Sequence, residues 1–318
     1  MPEHEMPEHE MPEHEMPEHE MPEHEMPLLG AHMSISGGLY KALIRGQKIG
    51  CQVIQIFTKN NNRWKSKRLS KEQVDAFDLA REKASVRPMA VHDSYLINLA
   101  SPRSDVAEKS FKALLDELER AERLKIPFLV IHPGAHLGEG ELRGISRISE
   151  GINRIHERTG GYHVKILLET TAGQGTNLGY RFEHLAEIID QTVYKDRLGV
   201  CFDTCHAFAA GYDLRSPKTY RGLFRKFDAI IGINRLMLFH INDSKKALGS
   251  RVDRHEHIGA GTIGLWAFSR LLNDERFSNL PFLLETPKGK DQNGVDLDRV
   301  NLSLLRQLRE KSYKHDRI

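Results

Sequence analysis

Residues 198–206 read LGVCFDTCH, a short apolar run that ends at Asp203. The run is continuously hydrophobic rather than alternating, which is typical of a strand buried on both faces, as in a parallel sheet. Polar or glycine-rich sequence and then an amphipathic stretch follow it. The same arrangement recurs along the chain, with apolar runs at 28–31, 52–57, 89–91, 128–131, 166–168, 198–202, 236–239 and 282–284.

Helical patterns lie between these runs. Ser70 and Gln73 fit a capping box, and Val74, Phe77 and Ala80 follow at helical spacing. Further helices are predicted at 38–49, 105–124, 141–158, 181–190, 217–231, 264–273 and 298–311. Eight strands alternating with eight helices predict a single-domain α/β protein, a (β/α)8 TIM barrel. A doubly wound open sheet is the alternative, because periodicity does not show closure; we favour the barrel.

Six of the eight apolar runs end directly in a potential metal ligand. These ligands are His92, His132, Glu169, Asp203, His240 and Glu285. In a parallel barrel the carboxyl ends of all strands converge on one face, so these side chains are expected to meet at its mouth. One histidine at such a position is most often structural, but six endings in His, Asp or Glu have no comparable structural explanation.

Three further candidates lie in nearby loops. His206 follows Asp203 by three residues, and Asp253 and His255 point the same way in an extended segment. Imidazole and carboxylate groups without thiolate predict a catalytic Zn²⁺ site, with Mn²⁺ or Fe²⁺ as alternatives. Nine ligands suit two or three metal ions with one bridging carboxylate. Because three divalent ions outweigh the four carboxylates in charge, the mouth would be positive and suited to a phosphate ester.

Composition separates the chain into an acidic repeat and a basic body. Residues 1–25 are five copies of MPEHE within a chain of 318 residues. Without the repeat's ten acidic residues, 34 acidic side chains face 46 basic ones, a formal charge of +12. A polyanionic partner such as nucleic acid fits this charge. We expect residues 1–26 to be a disordered tail, 27–312 the catalytic barrel and 313–318 a C-terminal tail.

Other classes of protein are disfavoured by the same sequence. No apolar run approaches the ~18–20 residues that a membrane span needs, and the N-terminus lacks the features of a secretory signal. Three cysteines favour a reducing compartment. We therefore expect an intracellular protein, cytoplasmic in a bacterium and nuclear or mitochondrial in a eukaryote, without a membrane partner and monomeric.

The chain resembles the endonuclease IV family of apurinic/apyrimidinic endonucleases. The blocks that carry this resemblance are GAH at 30–32 with SGG at 36–38, FTKN at 57–60, HDSYLINLA at 92–100, HPG at 132–134, Glu169 with TAGQG at 171–175, GVCFDTCH at 199–206, HINDSK at 240–245 and GSRVDRH at 249–255. Several blocks in the same order make a specific signal.

The resemblance implies a barrel with three zinc ions. It assigns the ions to His92, His132 and Glu169; to Glu169, Asp203, His240 and Glu285; and to His206, Asp253 and His255. Glu169 would bridge the first two ions, and the nucleophile would be a hydroxide held by metal. The implied reaction cuts the phosphodiester 5′ to an abasic site in duplex DNA and also removes groups that block 3′ ends.

The resemblance also implies contacts with DNA. Tyr95 and Leu96 match residues that the family inserts into the base stack, although core packing is the plainer explanation for such a pair. Where the family usually inserts an arginine, this chain has Asn62, and the neighbouring Arg63 is the candidate replacement. Thr170 stands where an asparagine is more usual. Lys59, Lys245, Lys246, Arg251 and Arg254 are candidates for phosphate contacts, and each is otherwise an ordinary solvated charge.

Two other functions compete with this interpretation. Metal-dependent sugar isomerases and epimerases also place His, Asp and Glu ligands at a barrel mouth, but they need fewer ligands and no basic body. The group formed by His206, Asp253 and His255 argues against them. A DNA-lesion binding protein without turnover is the second rival, and the presence of all nine ligands argues against it.

Overall fold

The computed structural model describes residues 27–64 and 66–310, which form a closed barrel of parallel strands surrounded by helices. The barrel strands are β1 (Leu28–Met33), β2 (Val53–Ile56), β3 (Arg87–His92), β4 (Phe128–Ile131), β5 (Lys165–Glu169), β6 (Leu198–Asp203), β7 (Leu236–His240) and β10 (Pro281–Leu284). Each strand pairs with its neighbours in chain order, and β10 pairs with β1 to close the barrel. The predicted barrel is therefore confirmed over the open sheet.

The helices alternate with the barrel strands. They are α1 (Tyr40–Ile49), α2 (Lys71–Lys83), α3 (Ser104–Arg123), α4 (Glu141–Arg158), α5 (Phe182–Gln191), α6 (Thr204–Ala209), α7 (Pro217–Ile230), α8 (Leu265–Leu272) and α9 (Leu297–Glu310). The predicted capping box is present, with Ser70 and Gln73 each bonding the other's backbone amide. None of the helices in residues 27–64 and 66–310 combines the length and the hydropathy that a membrane span requires. The predicted tails at 1–26 and 313–318 lie outside the described residues.

Among the short elements that sequence periodicity missed, two lie beside the site. These are the helix α6 and a hairpin made of β8 (Asp243–Ser244) and β9 (His255–Glu256), which pair antiparallel. Both are too short to show a hydrophobic period, which needs a window of about 11 residues or more for a helix. Both lie at the carboxyl ends of the barrel strands, so they matter for the site.

Side chains of one layer fill the interior of the barrel. This apolar layer consists of Val53, Ala90, Val130, Leu167, Cys201, Leu238 and Leu283, all fully buried. β1 contributes only Gly30, because a Cβ there would lie 1.7 Å from the Val53 carbonyl oxygen. Since side chains on a strand alternate between faces, the residue two positions further along each strand points into the same interior.

Candidate metal centre

The residues two positions after the apolar layer form a second, polar layer at the carboxyl ends of the strands. The polar layer consists of His32, Gln55, His92, His132, Glu169, Asp203, His240 and Glu285. Glu169, Asp203 and His240 are completely buried, and His92 is 2 % exposed. One spacing rule, applied to eight strands, thus brings all six of the predicted strand-end ligands to one place.

Glu169 lies at the centre of the polar layer. Its Oε2 lies 3.2 Å from His92 Nε2 and 3.3 Å from His132 Nε2. Its Oε1 lies 3.0 Å from His240 Nδ1 and 3.1 Å from His206 Nδ1. One carboxylate oxygen therefore faces His92 and His132 and the other faces His240, which is the arrangement that a ligand shared between two groups requires.

The nine predicted ligands come together in three groups. Within each group the ligand atoms lie within 4.8 Å of one another. The groups are His92, His132 and Glu169; Glu169, Asp203, His240 and Glu285; and His206, Asp253 and His255. Cys205 also lies near Asp203 and His255. Burial and the Asp203 charge raise the pKa of this thiol to about 12, so without a metal ion beside it the thiol is protonated at neutral pH.

The two missed elements position the third group. Asp203 caps α6, where its Oδ1 accepts a hydrogen bond of 2.7 Å from the His206 amide, and this turn brings His206 into the mouth. The hairpin then brings the other two ligands to His206. Asp253 Oδ2 lies 3.1 Å from His206 Nε2, and Asp253 Oδ1 lies 3.4 Å from His255 Nε2.

The charge balance of the centre calls for cations. Although burial alone lowers the pKa of the His92 imidazole, the bond to Glu169 and its charge raise that pKa to about 10. Burial raises the pKa of Glu169, but the facing imidazoles hold it well below its usual value. Two imidazole nitrogens, His206 Nε2 and His255 Nε2, face each other at 3.3 Å. Buried carboxylates that demand positive charge, together with convergent imidazoles, fit divalent metal ions.

Two residues of the centre escaped the sequence analysis. Gln55 bridges three members of the polar layer, because its Oε1 lies 2.9 Å from His240 Nε2 and its Nε2 donates to Glu285 Oε1 at 2.6 Å. The same Nε2 lies 3.0 Å from His32 Nδ1. Asn242 donates to Asp203 Oδ2 at 2.7 Å, and its Oδ1 accepts from the Glu285 amide. The sequence did mark Gln55, because it is a glutamine inside an apolar run and lies two residues after Val53 of the apolar layer.

The candidate insertion residues lie beside the centre. The Tyr95 side chain is 64 % exposed, and its ring centroid lies 5.9 Å from that of His92 and 5.8 Å from that of Phe57. Leu96 is half-buried. Arg63 is exposed in the β2–α2 loop, as is Asn62, and Arg254 is exposed beside Asp253. These side chains are accessible from solvent on the face that carries the centre.

The predicted phosphate contact at Lys59 is wrong. Its side chain is 1 % exposed, and its Nζ lies 2.7 Å from Asp116 and 3.3 Å from Glu117. A buried ammonium group held by two carboxylates is not available to a DNA phosphate. The sequence placed Lys59 in a loop at the catalytic face but gave no sign that α3 supplies its partners.

Comparison with known proteins places the chain in a family. A family described as xylose isomerase-like TIM barrels matches residues 44–308. A protein named probable endonuclease 4 from Chloroflexus aggregans is 55% identical over 279 residues, covering 88% of this chain and 96% of the relative. The chain belongs to the endonuclease IV family. The crystal structure of endonuclease IV from Thermus thermophilus is similar at a TM-score of 0.78 and 35% identity, covering 90% of this chain and all of that one.

More distant structures share the fold alone. A D-tagatose 3-epimerase-like protein matches with a TM-score of 0.68 at 20% identity, over 89% of this chain and 97% of the other.

The departure at Thr170 from the usual endonuclease IV sequence is accommodated in this barrel. Thr170 Oγ1 accepts a 2.9 Å hydrogen bond from the Asp203 amide, and its carbonyl lies 2.9 Å from His206 Nδ1. A threonine therefore still contacts two of the candidate ligands.

Proposed function

We propose that this chain is a DNA repair endonuclease that hydrolyses the phosphodiester 5′ to an apurinic/apyrimidinic site in duplex DNA. One observation carries the proposal: Glu169 belongs to two of the three ligand groups, with Oε2 facing His92 and His132 and Oε1 facing His240, and the third group lies beside them. Relatives with the name endonuclease 4 support the same activity.

The proposed centre takes three Zn²⁺ ions, one in each of the three groups, with Mn²⁺ or Fe²⁺ as possible substitutes. Such ions supply a nucleophile at neutral pH and positive charge that stabilises the transition state of phosphoryl transfer. The chain's own part is to hold the ligands in place. Asn242 orients Asp203, and Gln55 orients His240 and Glu285, so the polar layer is fixed before substrate arrives.

The same centre accounts for the proposed trimming of blocked 3′ ends. In both reactions a water oxygen attacks phosphorus and the bond between phosphorus and the 3′ oxygen breaks. Incision leaves a 3′-hydroxyl and a 5′-deoxyribose phosphate, and removal of a 3′-phosphate leaves the same 3′-hydroxyl. A single site that binds the phosphate in one orientation therefore serves both substrates.

Tyr95 and Leu96 are proposed to fill the space that an extruded abasic nucleotide leaves in the duplex. An exposed aromatic ring next to His92 is suited to stack on a base while the nucleotide enters the centre. Arg63 and Arg254 are exposed and are proposed to contact backbone phosphates, which position the duplex without reading its sequence.

Incision of a duplex that carries one tetrahydrofuran abasic analogue tests the proposal, with and without prior treatment of the protein with chelator. We expect incision 5′ to the analogue, lost after chelation and restored by added Zn²⁺. Binding without a nick would favour a lesion-binding protein. Epimerisation of a ketose without incision would favour a sugar enzyme, for which the present support is a shared fold at 20% identity.

A further inference from the structure

Asp243 is a completely buried acidic residue at the start of β8, and it belongs to none of the ligand groups formed by the described residues. Its carboxylate accepts four backbone hydrogen bonds instead. Oδ1 accepts from the amides of Ser244 and Ile263 at 2.8 and 3.0 Å. Oδ2 accepts from the amides of Gly259 and Gly261 at 3.0 and 3.1 Å. The chain's own backbone therefore engages both oxygens.

Three of these bonds close a loop of chain that contains two of the candidate metal ligands. The segment 243–263 runs along β8, through the hairpin to β9 and back to β8. Asp243 joins the two ends of this segment. Asp253 and His255 both lie within it. We call residues 257–263 the returning chain.

The returning chain also bonds directly to β8 and to the residues after it. Ser244 pairs with His255 in the hairpin, and the Ser244 carbonyl accepts from the Thr262 amide at 2.9 Å. The Thr262 hydroxyl donates to the Lys246 carbonyl at 2.7 Å. β8 therefore contacts both β9 and the returning chain, so release of the returning chain would loosen the strand that pairs with His255.

Gly261 shows how closely the returning chain approaches β8. A Cβ at this position would lie 2.4 Å from Asp243 Oδ1 and 2.5 Å from the Ser244 carbonyl oxygen. Both of these atoms belong to a buried strand, so an added methyl group would have to displace the returning chain. The closure therefore depends on the carboxylate at 243 and on the lack of a side chain at 261.

Other contacts hold the hairpin loop on the side that precedes the ligands. The amides of Gly249 and Arg251 donate to carbonyls of α6 at 3.1 and 2.9 Å. The Asp253 amide donates to Gln174 Oε1 at 3.3 Å. These contacts fix the chain before His255, whereas Asp243 fixes the chain after it. Loss of the Asp243 bonds should therefore loosen the third ligand group without unfolding the barrel.

We propose that Asp243 is a positioning residue for the third ligand group: closure of the segment holds Asp253 and His255 in place before a metal ion binds. The inference rests on the proposed three-metal centre. Without the closure, the ion itself would have to order the segment, and the conformational entropy lost on binding would lower its affinity. The first two groups lie on barrel strands and should not change.

Two variants break the closure from opposite sides. Asp243→Asn keeps the shape of the side chain, but its NH2 group faces two backbone amides whichever oxygen it replaces, so donor meets donor. Gly261→Ala keeps the carboxylate and displaces the returning chain.

Each closure variant has a matched control. Glu256→Gln removes one negative charge from the same hairpin, and its amide oxygen can still accept from the His257 backbone as the carboxylate does. Gly222→Ala adds the same methyl group in α7, where a Cβ would meet no atom of the described residues within 4 Å.

The first measurement is hydrogen–deuterium exchange of the full chain without metal. Peptides from 252–263 should exchange ~10-fold faster or more in both closure variants, because each lost hydrogen bond lowers local stability. The controls should exchange there as the wild type does, and peptides from β5 and β7 should be unchanged in all variants. Wild-type exchange at 252–263 in Asp243→Asn, or faster exchange along the whole chain, overturns the inference. If Asp243→Asn does not fold, Gly261→Ala decides by the same criteria.

The second measurement is the affinity for Zn²⁺, from chelator competition with elemental analysis. One of three ions should bind about 10–100-fold more weakly in both closure variants, and the other two as in the wild type. Equal weakening of all ions, or of none, contradicts the positioning role. Incision of the tetrahydrofuran duplex by the wild type is scored separately. A wild type that holds three ions without cutting would contradict the proposed function, while exchange and affinity still decide the role of Asp243.

Discussion

The apolar and polar layers of the barrel interior lie on the same strands, on the same face, two residues apart. In β5 the pair is Leu167 and Glu169, and in β7 it is Leu238 and His240. The apolar layer gains free energy from burial, whereas burial of the polar layer costs free energy unless each charge finds an opposite one. The position of a residue along its strand therefore decides whether it packs in the apolar layer or belongs to the metal centre.

Buried histidines show the same contrast in their acidity. His92, which faces the carboxylate of Glu169, has its pKa raised to about 10. His156, near the end of α4, has its pKa lowered to about 4 by burial and by the Arg197 charge. Both side chains are at most 2 % exposed. A neighbouring carboxylate therefore affects the pKa of a buried histidine more than depth does, and of these two histidines the one beside buried carboxylates is His92 in the polar layer.

The largest effect is expected in the polar layer. Glu169→Gln keeps nearly the same shape but removes the negative charge that both pairs of imidazoles face. We expect incision to fall by ~10³-fold or more and at least one metal ion to be lost, with the fold retained. Rate assays, elemental analysis and circular dichroism check this. Full activity of the variant would remove Glu169 from its bridging role.

At Leu167, two residues before Glu169, we expect the opposite result: stability falls and the metal content is unchanged. Leu167→Ala opens a cavity in the apolar layer, where Leu167 is fully buried, and should lower the free energy of unfolding by about 2–5 kcal/mol. Its metal content should match the wild type below the unfolding transition. Urea titration with parallel elemental analysis measures both. Loss of metal from the folded variant would show that the two layers are not separable.

A smaller effect is expected at Gln55, which positions His240 and Glu285. Gln55→Leu fills similar space without the amide, and we expect metal affinity or incision rate to fall about 10–100-fold. Gln52→Leu is the control, because Gln52 lies before β2 and bonds the Leu29 amide instead. Chelator competition reports metal affinity directly. Equal behaviour of the two variants would mean that Gln55 has no positioning role.

The smallest effect concerns His156 and pH. Because the folded pKa lies below the ordinary value of 6.5, the unfolded chain binds a proton more readily, so stability is lost as the pH falls from about 6.5 towards about 4. Between about pH 7.5 and about pH 5, protonation of His156 in the unfolded chain should lower the free energy of unfolding by ~2 kcal/mol. His156→Phe keeps a ring against Tyr194 and should show a loss smaller by that amount in urea titrations. Parallel pH profiles for variant and wild type would contradict the assignment.

Most of the barrel could be predicted because its signals are local. Each strand is a short apolar run, and helices such as Glu141–Arg158 were bounded correctly from periodicity and flanking residues. Residues at strand ends, such as His92 and Glu285, also predicted the metal centre, since parallel strands bring their carboxyl ends together. The geometry of that face follows from topology and does not depend on knowing any individual contact.

The residues that were missed or misassigned depend on contacts between distant segments. Gln55 reaches His240 across 185 positions of sequence, and the Lys59 ammonium is buried by Asp116 from α3. The contact at Lys59 leaves no local pattern, and at Gln55 the sequence marks the residue, as a glutamine inside an apolar run, but not its partner.

Anomalous X-ray scattering from a crystal of the native protein, recorded above the zinc absorption edge, tests the polar layer most directly. Three strong peaks are predicted, each within bonding distance of one ligand group, with Glu169 between two of them. Two peaks or fewer, or peaks away from His92, Asp203 and His255, would contradict the view that strand ends assemble a three-metal centre.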